Sequence, residues 1–171
     1  MIFKSLHNKL LKKKIENSLI KLSNQRRFKP NPIKTLGCIV DPSFPVSVDK
    51  FIELSNSLGL KEKDFKIITF QENKNTFNVF SNMNMTPECV SFSGNLNGKD
   101  SLEFISFEFD LLINFFRSNN FLILLSSKTN AKFRVGFESV DSKLNDLIFS
   151  EKIKNFLDFK LELIKYLKLI K

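Results

Sequence analysis

The chain has 171 residues with 27 Lys and Arg against 18 Asp and Glu, and its whole net charge of +9 lies in the first 34 residues. Ten cations there (Lys4, Lys9, Lys12, Lys13, Lys14, Lys21, Arg26, Arg27, Lys29, Lys34) face one acid, Glu16, while the remainder carries 17 residues of each sign. This length suits one domain with a proper core. Two cysteines in unlike contexts, Cys38 and Cys89, make neither a disulfide framework nor a metal cluster, and no apolar run reaches the roughly 18 residues of a membrane span.

Residues 2 to about 25 contain no Gly or Pro and read as a helix. Leu11, Ile15, Leu19 and Leu22 form one apolar stripe, and Phe3, Leu6 and Leu10 form a second that does not line up with it. The helix therefore changes its buried face or meets two surfaces. Pro30 and Pro32 mark a linker. Thr35 to Val40 reads as a buried strand stopped by Pro42 and Pro45. Ser47 caps a helix carrying Phe51, Ile52 and Leu54 that ends at Gly59.

A strand over Phe65 to Phe70 follows, and then a polar excursion from Gln71 to Gly98 with room for one or two short strands, its apolar bits including Phe77 to Phe80. Lys99 to Ser106 predicts a short helix, Phe109 to Phe115 a strand, and Asn119 onward a helix through Leu125. Ala131 to Phe137 predicts a strand, Asp146 to Phe149 a weaker one, and Glu151 to Ile170 a final helix. Strands separated by helices imply right-handed crossovers. The expected fold is an α/β, Rossmann-like layer sandwich with a mainly parallel sheet, helices on both faces and a basic N-terminal helix. Residues 1–34 form the basic helix and linker, and residues 35–171 a single α/β domain.

In such a sheet, ligands bind beyond the C-terminal ends of the strands. Asp41, Arg117, Ser118 and Asn119 stand there as a candidate ligand edge. Arg117 precedes a helix N-terminus, whose free N–H groups favour an anion. Its alternative is an exposed cation paired with a nearby acid. Asp41 fits a general base or a ribose-binding carboxylate, or simply the start of a turn, being followed by Pro. Neither a P-loop nor a Gly-x-Ser-x-Gly elbow is present, and Asp41-Pro-Ser-Phe-Pro45 is not a glycine-rich phosphate turn. The single histidine, His7, lies on the basic helix, which leaves no multi-histidine metal site and no histidine triad. No catalytic set, metal or cofactor is therefore assigned. Arg134 is read as structural, its guanidinium capping the sheet or meeting an acid such as Glu138. Most of the 20 phenylalanines sit in apolar runs and are core candidates, whereas Phe28 lies between Arg27 and Lys29.

The run Phe109-Asp-Leu-Leu-Ile-Asn114, with Leu124-Leu125, Ala131-Lys-Phe-Arg-Val-Gly-Phe137, Leu144-Asn-Asp-Leu-Ile148, the basic helix and Thr35-Leu-Gly37, resembles an uncharacterised bacterial family of short basic proteins, a domain of unknown function. That resemblance brings no activity with it. The block from Phe109 to Phe137 is more distantly similar to the N-terminal half of heptosyltransferase-type glycosyltransferases, which implies the same layered fold.

Taken together, these features lead to the expectation of a non-enzymatic cytoplasmic protein docking on RNA or a ribonucleoprotein through its N-terminal helix. Lys9, Lys12, Lys13, Lys14, Arg26, Arg27 and Lys29 are the candidate contacts. The alternative is a small-molecule-binding or vestigial glycosyltransferase-like domain working at the strand-end edge. Lys12, Lys13 and Lys14 interrupt any apolar leader, consistent with a cytoplasmic location. The apolar surface of the last helix (Phe156, Leu157, Phe159, Leu163, Ile164, Tyr166, Leu167, Ile170) suggests a protein partner or self-association.

Overall fold

Six parallel strands and five α-helices make up the described part of the chain in a computed structural model, which covers residues 2–25, 27–72, 83–153 and 155–169. Arg26, Ile170 and the Phe77 to Phe80 segment lie outside the described residues. The elements are α1 (Ile2–Ser23), β1 (Leu36–Val40), α2 (Val48–Ser57), β2 (Phe65–Phe70), β3 (Met83–Met85), α3 (Lys99–Ser106), β4 (Glu108–Phe115), α4 (Asn120–Lys128), β5 (Asn130–Phe137), β6 (Leu147–Phe149) and α5 (Phe156–Leu169).

The strand order is β3-β2-β1-β4-β5-β6. Its direction reverses between β1 and β4, whose register pairs Leu36 with Leu111 and Val40 with Phe115. Right-handed crossovers on either side of that point place their helices on opposite faces. Cys38, Val40, Leu111, Ile113 and Phe115 accordingly meet Phe51 of α2 and Phe159 and Leu163 of α5. Ile39, Ile68 and Leu112 meet Phe104 of α3, Leu124 and Leu125 of α4, and Leu11, Ile15, Leu19 and Leu22 of α1. The fold is a Rossmann-like α/β sandwich.

The apolar run of α4 explains the placement of α1. Leu122 through Ser127 are all buried, which a helix lying on a sheet achieves only when its outer side is covered too. The first apolar stripe of α1 supplies that cover and sits on the face opposite α5. Its second stripe stays outside, with Phe3 78% and Leu6 46% exposed.

Polar side chains stitch the N-terminal segment to the body. Arg27 Nε pairs with Asp146 Oδ1 at 3.0 Å, and its Nη atoms donate to the Leu144 and Lys143 carbonyls. Lys29 Nζ donates to the Leu167 carbonyl near the C-terminus of α5, at 2.7 Å, where a cation is favoured by the helix dipole. Arg134 does not meet Glu138. Its guanidinium is buried and donates to the carbonyls of Thr129 and Ala131 just past α4, while its backbone N–H donates to Asp146 Oδ2. Glu138 instead accepts from Ser150 Oγ and the Glu151 N–H.

The final helix begins at Phe156 rather than Glu151, because Asn155 caps it by accepting from the Asp158 N–H at 2.9 Å. Glu151 and Ile153 before it lie instead beside Phe115 and Phe137 at the strand ends. The polar excursion contributes β3, as well as a 3-10 turn at Pro87–Cys89 and a bridge between Val90 and Leu96.

Candidate functional site

Two places gather unspent chemistry: the solvent face of α1 and the crevice where the sheet reverses. On α1, burial of one stripe directs the intervening lysines outward. Lys9, Lys12 and Lys13 are exposed, and none has an acid partner among the described residues. Lys14 donates to Asn95 Oδ1 at 3.1 Å, and His7 Nδ1 lies 3.1 Å from the Phe92 carbonyl. Lys128, at the end of α4, extends this basic face. Partial burial lowers its pKa, and the nearby charges of Lys21 and Lys14 push in the same direction. Cations thus crowd here without neutralisation.

Of the other expected contacts, Arg27 and Lys29 are committed to the body. Arg27 and Asp146 are only 15% and 14% exposed in their side chains. Burial raises the pKa of Asp146, opposed by the Arg134 N–H and the charges of Arg27 and Arg134. Burial and the charge of Arg27 bring Arg134 down to about 10, against the pull of Asp146. This is a structural centre in which one carboxylate takes the Arg27 guanidinium on Oδ1 and the Arg134 backbone N–H on Oδ2, with the Arg134 guanidinium held nearby on chain carbonyls.

The strand-end edge divides in a similar way. Asp41 forms a turn: its Oδ1 accepts from the Ser43 N–H at 2.9 Å and its carbonyl from the Phe44 N–H at 3.1 Å. Asn119 caps α4 by accepting from the N–H groups of Phe121 and Leu122. Ser118 is exposed. Arg117 remains at the edge, donating from Nε to Glu151 Oε2 at 3.1 Å, with its guanidinium carbon 4.9 Å from the Phe44 ring centroid.

Beside it lies a cavity of about 280 Å³ lined by Phe44, Phe115, Phe137, Glu151 and Phe156. Phe44 reaches over the sheet end to within 5.0 Å of the Phe115 ring and 5.7 Å of the Phe137 ring. Reading along the chain missed these walls, since Phe44, Phe137 and Phe156 come from three separate segments. The one local signal was a phenylalanine flanked by prolines in the first strand-helix turn.

Among the described residues no helix is long and apolar enough to cross a membrane. Neither a curated protein nor a solved structure matched the chain. The match to a family model runs from residue 7 to residue 170, taking in most of the basic helix, the whole sheet and the cavity walls, and the chain belongs to this family of unknown function (DUF6913).

Proposed function

We propose that this protein is a non-enzymatic docking protein that binds RNA, alone or in a ribonucleoprotein, through the solvent face of α1. The observation carrying the reading is that Lys9, Lys12 and Lys13 project from a helix whose other side is locked into the core, with no acid partner among the described residues. A rigid row of cations suits a phosphate backbone, and its exchange with counterions makes affinity fall steeply with salt. Lys128 lies near Lys21 and Lys14 and adds a second cluster of cations along α1. Arg27 and Lys29 leave it, since their donors serve Asp146 and the chain carbonyls.

Gradient sedimentation of tagged protein from native lysate, with and without ribonuclease, tests the reading. Truncating α1 would strip Leu11, Ile15, Leu19 and Leu22 from the core, so the informative variant is Lys9→Glu/Lys12→Glu/Lys13→Glu. The wild type should co-migrate with RNA-containing particles until ribonuclease is added, and the variant should stay at the top. Equal migration of both proteins refutes the reading.

A second reading, self-association, is favoured by the outer face of α5, where Leu157 is 61% and Leu161 58% exposed. Mass that rises with concentration and returns to the monomer value in Leu161→Lys supports it.

A further inference from the structure

The cavity at the reversal of the sheet carries a more specific chemistry than its position alone implies. Its walls are aromatic: Phe44, Phe115, Phe137 and Phe156, with the Phe115 and Phe156 centroids 5.6 Å apart. At about 280 Å³ it lies at the low end of small-molecule sites, the size of a fragment rather than of a nucleotide.

Arg117 is the cation that lines it. The Phe44 ring beneath the guanidinium and Glu151 on Nε hold the group at two points. Its Nη1 and Nη2 edge has no partner among the described residues and is open to solvent, the side chain being 64% exposed. An arginine held on an aromatic face with that edge open is prepared to take a planar anion through two parallel hydrogen bonds.

Polyanions fit poorly. Glu151 lines the cavity and already pairs with the Nε side of the one guanidinium, so every anionic group of a ligand beyond the first would meet no cation among the lining residues. Phe44 and Pro45 occupy the turn where a glycine-rich phosphate loop would bring its N–H groups. A single carboxylate needs only the open edge, and an apolar body gains from the rings.

We infer that the cavity binds a small monocarboxylate with an aromatic or branched apolar body, its carboxylate on the Nη edge of Arg117 and its body among the phenylalanines. This site is separate from the basic face of α1 and does not depend on the RNA reading.

The test uses the full chain, 3-phenylpropanoate as probe and 3-phenylpropanamide as its uncharged counterpart, followed by isothermal titration and by protein-observed NMR. The carboxylate should bind in the millimolar range or tighter and shift the resonances of Phe44 and Arg117, with the amide at least about tenfold weaker. Arg117→Gln should abolish that discrimination, and Phe44→Ala should weaken both probes, each variant keeping the wild-type circular dichroism spectrum. Absence of carboxylate binding at millimolar concentration, equal binding of the amide, or unchanged discrimination in Arg117→Gln would overturn the inference.

Discussion

Arg27 and Lys12 belong to the same basic segment, yet the fold treats them in opposite ways. Arg27 is drawn under the body, where its guanidinium meets Asp146 and two backbone carbonyls. Lys12 stands in solvent without an acid partner among the described residues. The +9 of the first 34 residues is therefore not one feature. Part of it fastens the segment to the sheet, and part is surplus on an outer face available to a partner.

The largest effect is expected where the fastening is broken. Asp146→Ala leaves Arg134 buried and close to Arg27 with no counter-charge, and should cost about 3 kcal/mol or more of stability in urea unfolding. A loss below about 1 kcal/mol would show that the pair is not structural. Leu11→Ala, at the buried side of α1, should cost about 3 kcal/mol by creating a cavity. A smaller loss, with unchanged spectra, would make α1 a loosely attached arm.

Asp110 gives an intermediate case with a pH signature. Burial raises its pKa, but hydrogen bonds from Lys132 Nζ and from the backbone N–H groups of Lys34 and Thr35, together with the Lys132 charge, leave it lowered overall. The unfolded carboxyl thus binds its proton more readily than the folded one, so this contribution is full above the ordinary carboxylate range and is lost as pH falls through the folded value. Asp110→Asn should remove about 1 kcal/mol at neutral pH and flatten the loss of stability toward acid. An unchanged acid slope would assign that slope to other carboxylates.

The smallest effect on stability belongs to the outer face. Lys9→Glu/Lys12→Glu/Lys13→Glu should change unfolding free energy by no more than about 0.5 kcal/mol while removing RNA co-migration. A large destabilisation would erase the distinction between the two sets of cations.

Much of the layering was legible along the chain because period and punctuation are local. The Lys99–Ser106 helix, the β4 and β5 strands and the Leu11, Ile15, Leu19 and Leu22 stripe are all readable from spacing. The start of α5 was not, because Glu151 is held by Glu138 and the cap comes from Asn155. At the strand-end edge, Arg117 pairs with Glu151 as an exposed cation, the alternative its position before a helix had left open. Asp41 and Asn119 were legible only as residue types suited to two roles, and the backbone N–H groups they accept from assign them to a turn and a cap.

The sequence by itself determined the class of fold, the two apolar stripes of α1 and the confinement of surplus charge to one segment, since each depends on residue type and near spacing. Only the tertiary structure decided which cations are spent and where the cavity lies. Asp146, Leu144 and Leu167 reach Arg27 and Lys29 from the far end of the chain, and the cavity exists because the β1–α2 loop, the end of β5 and the start of α5 bring Phe44, Phe137 and Phe156 around one end of the sheet. Coulomb pairing and aromatic packing depend on distance in space, and that distance is set by the assembled sheet and the helices packed on it.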